Sequence, residues 1–535
     1  KENRIPSSTF EGFDPDAYIL LNADVASALI EGAFASALDH FLTFGQFENR
    51  PGSGVQQKTF SLTINQDNYA GTLGDDEFFA RPGTLNLGDV LDGRGGKDTL
   101  SIEANERPLV FPAGSNLVGI ENISVSAPVH QSLDFSDLGN VSEIMLKNGK
   151  TRQGENLDIT LAKDQELYLA KLEKADNFNS DLLADGGGLI INQDETASSL
   201  KLHVDQVGGS SSKAKESILI DFSNKQLETL YFTVSHKNFL ALFNSGGGIS
   251  SLEVSGSGSL KLEELPKNLT SFNGDLSDIN FNLLIQDQNI SMNLGSGDDT
   301  ITVREGRDIN SVSNIQLGTG DDTVEIRGGR NTIHLDTGDD TVNASLGTNT
   351  ILGDEGRDRI YITDGTNIIN SGEDDDRVTV NGGFNTVKTG LGNDTVIVTG
   401  GSINIDTGEG NDNITIVEGS PIIIESLDAG VGTDTLSIYS VGSVTVPAAR
   451  NIENFFLSDT VHQSLDFSFS ASLVGIELSS GTTIDGSTIT TTLGEGQSLT
   501  ISGLIDGDTA AASLADGGIV INQASSITSL NLTLD

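Results

Sequence analysis

Cysteine and tryptophan are absent from this 535-residue chain, and methionine occurs only twice. Without cysteine there can be no disulfide and no thiolate metal site, which is compatible with an extracellular setting without requiring one. Basic residues are scarce as well: 30 Lys and Arg stand against 77 Asp and Glu, a formal net charge of −47. Nucleic acid is excluded as a partner, because phosphate binding needs clustered Lys and Arg. Aromatic residues make up 5% of the chain, too few for a conventional large core but enough for a thin-walled solenoid. Ten prolines are few for a disordered chain of this length. No apolar run approaches the ~18–20 residues that span a bilayer. The opening "KENRIPSSTFEGF" lacks the apolar stretch of a secretory signal and begins with Lys, so the chain is read as processed or incomplete.

What the chain has in abundance is glycine, 62 residues of it, and Val, Ile, Leu and Thr, a strand-forming composition. Aspartates in a G-x-D-x-[VI] setting fall at 299, 322, 340, 358, 376, 394, 412 and 434. Five consecutive gaps are 18 residues. A second ruler of Gly329, Gly347, Gly365, Gly383 and Gly401 runs between them, followed by Asn331, Asn349, Asn367 and Asn385. Each unit reads as loop, short strand, loop, short strand, with "DTVEI" and "NTIHL" alternating apolar residues inward. Short parallel strands at a fixed period predict a mainly β protein, a right-handed parallel β-solenoid.

Coils of such a solenoid stack at ~4.8 Å, so equivalent aspartates come within about 5 Å of one another. Left uncompensated, that column is repulsive. A hard divalent cation between coils reverses the sign, and calcium accepts 6–8 carboxylate and carbonyl oxygens in flexible geometry. Glycines such as Gly318 and Gly320 allow the tight turns that aim carbonyls at an ion. Magnesium prefers stricter octahedra, and softer metals prefer Cys or His. A single such motif reads equally well as a solvated turn; eight in register do not.

Here the sequence resembles the RTX family, whose nonapeptide G-G-x-G-x-D-x-U-x forms a calcium-binding parallel β-roll. "LGTGDDTVE" (317–325) and "LGSGDDTIT" (294–302) depart from it at the first glycine, and "GDEGRDRIY" (353–361) at the second. The likeness covers about 294–437. In a standard roll both loops of a coil carry the motif; here the alternate loop carries Asn instead, implying one row of calcium on one edge. Asp374 stands where that pattern has glycine.

The roll is flanked by a longer duplication. "LDGRGGKDTLSI" (91–102) returns as "LDAGVGTDTLSI" (427–438), "VHQSLDFS" at 129–136 returns at 461–468, and "LADGGGLIINQ" (183–193) returns as "LADGGIVINQ" (514–523). The second copy stops at Asp535, which corresponds to Asp205, so the chain is read as part of a larger repetitive protein. "GTLGDDEFFARPGTLNLGDVLDGRGGKDTLSI" (71–102), followed by "LVGIENISVSAP" (117–128), resembles RTX-type bacterial surface-layer proteins. That resemblance implies an extracellular, calcium-dependent lattice protein exported by a type I system. Its implied metal ligands are Asp76, Asp98, Asp299, Asp322, Asp340, Asp358, Asp376, Asp394, Asp412 and Asp434, with Gly318 and Gly320 shaping the loops.

Residues 13–54 differ in kind. Asp14 with Pro15 opens one helix, Asn22 can cap a second, and Gly32 and Gly45 sit where helices end. The expected organisation is a helical cap or anchor over 1–54, a first solenoid module over 55–290, the calcium roll over 291–426 and a second module over 427–535. None of the six histidines begins H-E-x-x-H, and no G-x-S-x-G occurs, so zincin and nucleophile-elbow chemistry are excluded. His130 and His462 in the duplicated phrase read as turn residues. The expected protein is structural, assembling with itself at the cell surface, with surface polysaccharide as a further partner. A calcium-stiffened adhesin or filament, or a solenoid polysaccharide-acting enzyme, are the alternatives.

Overall fold

Alternating β-branched residues at an 18-residue period bury their apolar half only if successive coils stack in register, and they do. The computed structural model describes Tyr18, Ile19 and residues 22–45. It also describes 57–458, apart from 106–108, 129–131, 152–155, 175–187, 209–217, 305–310, 418–420, 440–443, 447–448 and three single positions. Beyond 458 it describes only strands, the last ending at Thr533. Asp14, Pro15, His130 and His462 lie outside the described residues. The protein is a mainly β, parallel β-solenoid with a small N-terminal helical module, and every described strand pairing is parallel. Its internal contacts divide it into two units, Lys1–Glu253 with Leu260–Asn268, and Val254–Ser259 with Leu269–Asp535.

In the first unit, α1 (Ala23–Ile30) and α2 (Ala37–His40) enclose a small core of Tyr18, Val25, Ala37 and Phe41. A π-helical turn, Phe41–Gly45, continues α2. Gly32 takes a left-handed φ of 76° just after α1, as a terminating glycine should. Asn22 does hold the N-cap position of α1, but its side chain makes no capping bond; its amide donates back to the Tyr18 carbonyl at 2.8 Å. The strands of this unit stack one apolar column, Phe78, Leu100, Ile123, Ile144, Leu167, Leu202 and Phe232, each register partner of the next and all buried. A second column runs Leu133, Ile159, Ile191, Phe222.

The second unit is more regular. One wall stacks Ile301, Val324, Val342, Ile360, Val378, Val396, Ile414 and Leu436; the facing wall stacks Met292, Ile315, Ile333, Ile351, Ile369, Val387, Ile405 and Leu427. The two short strands expected per coil run together in Thr323–His334 and Thr341–Leu352, with register shifts at Ile326, Arg327 and Arg330 marking the corner.

Because stacked strands hold each column at a fixed rise, a cavity in one coil cannot close by local collapse. Ile351, fully buried between Ile333 and Ile369, should therefore cost about 2–5 kcal/mol on truncation to Ala. Denaturant unfolding of Ile351→Ala measures this, and a loss well under ~1 kcal/mol would mean that the column is not closely packed.

Candidate metal centre

The eight aspartates of the second unit form one column, linked rung by rung. The backbone N–H of Asp299 donates to Asp322 Oδ1 at 2.7 Å, that of Asp322 to Asp340 at 2.6 Å, and that of Asp340 to Asp358 at 2.9 Å. Asp358, Asp376, Asp394 and Asp412 each repeat the bond to the next aspartate at 2.8 Å. The first unit repeats the device: Lys58 N–H donates to Asp76 Oδ1 at 2.7 Å, and Asp76 N–H to Asp98 Oδ1 at 2.6 Å. All ten aspartates are at most 2% exposed. They are therefore not solvated turn residues.

One oxygen of each carboxylate is used in this way, and the other is left over. Oδ2 of Asp98, Asp299, Asp322, Asp340, Asp358, Asp376, Asp394, Asp412 and Asp434 is buried without a hydrogen-bond partner. Asp76 is the exception, its Oδ2 accepting the Thr72 N–H. Backbone carbonyls share the same space. A methyl on Gly353 would stand 2.0 Å from the Ser371 carbonyl oxygen and 2.2 Å from Asp358 Oδ2; on Gly93 it would stand 2.1 Å from the Gly119 carbonyl oxygen and 2.3 Å from Asp98 Oδ2. Gly318 and Gly320, at φ 102° and 133°, lie against the preceding coil, where a Cβ would meet the Gly295 and Gly297 carbonyl oxygens at 2.1 and 2.4 Å. Asp374 keeps the left-handed conformation at φ 76°, one that Asp tolerates, so its loop follows the same path. A buried, unpartnered carboxylate oxygen is costly, and this set of carboxylate and carbonyl oxygens suits a hard cation of the calcium type.

The residue before each aspartate forms an outer, exposed row stitched in the opposite sense. Asp321 N–H donates back to Asp298 Oδ1 at 3.1 Å, Asp339 to Asp321 at 3.0 Å and Arg357 to Asp339 at 3.0 Å. Asn393, Asn411 and Thr433 continue it onto Asp375, Asn393 and Asn411.

The asparagine ruler makes an instructive control. Asn331, Asn349 and Asn367 each donate through Nδ2 to Oδ1 of the next asparagine at 2.7–2.8 Å, while also bonding a carbonyl of their own turn. An amide both donates and accepts, so Oδ1 of each of Asn349, Asn367 and Asn385 is met by a neighbouring amide, and Asn331 Oδ1, at the start of the row, is the one left without a donor among these four. A carboxylate only accepts, so the aspartates cannot meet one another in this way.

Some partners of the row were not foreseen. Asp98 N–H donates to Glu121 Oε2 at 2.9 Å and Asp434 N–H to Glu453 Oε2 at 2.7 Å. The signal was the repeated "IEN" of 120–122 and 452–454. Asp67 and Asp89, nine residues ahead of Asp76 and Asp98, form a second rung in the first unit, Asp67 N–H to Asp89 Oδ1 at 2.9 Å. Their other oxygens accept Thr63 and Asn86 N–H, so this pair is satisfied internally.

No family model matches the chain, and no curated protein sequence does. Two further groupings stand apart from the column's inner row. Ligand atoms of His334, Asp336 and Asp354 lie within 4.8 Å of one another near the surface. In the first unit His203 stacks on Tyr168 at 3.9 Å and reaches Glu166 Oε2 at 3.2 Å, with Lys201 on Glu166 Oε1 at 2.5 Å. Burial would raise Glu166, but Lys201 and His203 outweigh it and hold the carboxyl below its ordinary value.

Burial pushes Asp322 and Asp358 from 3.8 up to about 8, and Asp299, Asp340 and Asp376 to about 7. The rung N–H opposes the shift, and neighbouring carboxylates add to it. Folded-state values above the unfolded one mean that stability is complete below about pH 4 and is lost as pH rises through these values. In chelator, the melting temperature of the chain should therefore be higher near pH ~5 than near pH ~9. A flat or rising profile would show that these carboxylates ionise as solvated ones do.

Proposed function

We propose that the chain is a calcium-dependent structural protein of the bacterial cell surface, a subunit of an RTX-like surface layer rather than an enzyme. The observation that carries this reading is the column of buried aspartates, each with one oxygen satisfied by the neighbouring coil and one left without a donor. Asp299 through Asp434 in the second unit, and Asp98 in the first, would hold the ions, with backbone carbonyls such as Gly119 and Ser371 completing the oxygen set. Bound calcium supplies positive charge between coils and converts the repulsion of the column into cross-linking.

The distribution of the remaining charge supports self-association. Acids gather in the loops of the second unit, while an outward row of one wall reads Val312, Arg330, Thr348, Thr366, Phe384 and Ser402. Phe384 is 68% exposed, and Ile368 beside it 55%. In a chain of net charge −47, an acid-free row of this kind is where like-charged copies can approach. Among the described residues no helix is long and apolar enough to cross a membrane. Folding linked to calcium would leave the roll only marginally stable where calcium is scarce and rigid where it is millimolar.

Two measurements test this. Titrating the full chain with calcium should raise its melting temperature cooperatively and drive it into ordered assemblies visible by electron microscopy, whereas magnesium should do neither. A chain that binds no calcium, or responds equally to both ions, would sink the reading. The second test turns on sign. Asp340→Asn keeps an oxygen for the Asp322 N–H and removes the charge. It should stabilise the chain in chelator and destabilise it in millimolar calcium, each by on the order of 1–3 kcal/mol. A shift of the same sign in both conditions would mean that Asp340 does not face an ion.

A further inference from the structure

Any carboxylate column needs an end, and both units end theirs in the same way. In an ordinary rung the aspartate N–H donates forward to the next carboxylate, as Asp322 does to Asp340. At Glu121 and Glu453 the relay turns back: Glu121 N–H donates to the Asp98 carbonyl at 3.2 Å, and Glu453 N–H to the Asp434 carbonyl at 3.2 Å. No further carboxylate is then required. The following N–H groups, of Asn122 and Asn454, converge on the same carbonyls at 3.0 and 2.9 Å. The preceding residues, Gly119 and Asn451, both take left-handed φ, 58° and 55°, and Ile120 and Ile452 are both fully buried. The longer side chain of Glu thus brings its carboxylate to the rung that Asp fills elsewhere.

Each end holds an unspent acceptor. Asp98 and Asp434 are fully buried, and Oδ2 of each has no hydrogen-bond partner. In the first unit the Gly119 carbonyl borders the same space as Asp98 Oδ2, across the Gly93 Cα. Past Glu121, the first unit has Ser142 and Gln165 at the corresponding positions, neither of them acidic.

We propose that Glu121 and Glu453 are terminal cation ligands, each closing a divalent-cation site with the unpartnered oxygen of Asp98 or Asp434 and ending the ion row there. This rests on the calcium reading of the column. It adds two ligands that lie outside the nonapeptide, one at the end of each row.

The test is calcium stoichiometry of the full chain, measured by equilibrium dialysis against radioactive calcium. Glu121→Gln and Glu453→Gln keep an oxygen for the aspartate N–H and remove only the charge, so folding should survive, and far-ultraviolet circular dichroism checks that it has. Each is expected to lose one ion per chain and the double variant two, while the remaining ions bind with unchanged affinity. Glu121→Asp and Glu453→Asp, with the shorter arm, should not restore them. Glu143→Gln, on the next coil and paired with Lys97 at 2.6 Å, should leave the count intact. An unaltered count in the folded double variant would overturn the terminal-ligand assignment while leaving the column reading standing. A wild-type chain that binds no calcium would overturn both.

Discussion

The structure depends on one bond repeated coil after coil, a backbone N–H given to the carboxylate of the next aspartate. It holds the loops in register, and it also forces a row of negative charges to share a narrow, dry edge. Two unit charges about 5 Å apart repel by roughly 3 kcal/mol at an effective dielectric of ~20. A handful of such contacts equals the whole net stability of a domain, about 5–15 kcal/mol. The row from Asp299 to Asp434 therefore cannot be fully ionised and unaccompanied in the folded chain. Either protons or cations must occupy it, and the raised affinities of Asp322 and Asp358 for protons express the same demand.

The demand varies along the column. Five residues before the aspartate, the chain places Leu294, Leu317 and Leu335, then Gly353, then Ser371, Thr389 and Thr407. The hydroxyls stand beside their carboxylates but give their protons along the axis, Thr389 to the Thr407 carbonyl at 2.8 Å and Thr407 to the Ala429 carbonyl at 2.9 Å. Burial raises Asp394, but the Asp376 N–H and the neighbouring Thr389 hydroxyl oppose it and the value reaches only about 6, where Asp322 reaches about 8. The outer row changes in parallel, from Asp298, Asp321 and Asp339 to Asn393 and Asn411. Fewer acids stand beside the later rungs, while Oδ2 of Asp394 and Asp412 is without a donor as in the earlier ones.

Much of this was legible in the sequence because a strict period leaves little choice. The 18-residue ruler of Asp322, Asp340 and Asp358 implied stacking, and stacking implied adjacency. The Asn331 to Asn385 ruler marked the other corner in the same way. What the sequence hid were features that break the period or depend on geometry. Glu121 and Glu453 fall outside the G-x-D pattern and are one residue each, so they read as ordinary polar positions until the rung is seen. Asp67 and Asp89 were masked by irregular surroundings, although their nine-residue offset from Asp76 and Asp98 was available. Asn22 occupies a cap position, yet its amide answers Tyr18 rather than the helix, a choice between two local partners that spacing cannot decide. The burial of the aspartates was the largest hidden fact, since loop aspartates are ordinarily exposed.

A column of identical rungs has no intrinsic length, in the way that a sheet has no intrinsic edge. Each added coil offers its N–H to another carboxylate, and each carboxylate adds charge that must be balanced. Ending the row with aspartate would leave a buried backbone donor facing a coil with nothing to give it. Ending it with a glutamate whose own N–H folds back to the previous carbonyl solves both problems in one residue: the last donor is satisfied and no further charge is called for. The device occurs in both units with matching bonds, at Asp98 with Glu121 and at Asp434 with Glu453. Coils with a buried carboxylate column and coils without one can then occur in one chain, because the charge of each row is bounded by its own chemistry.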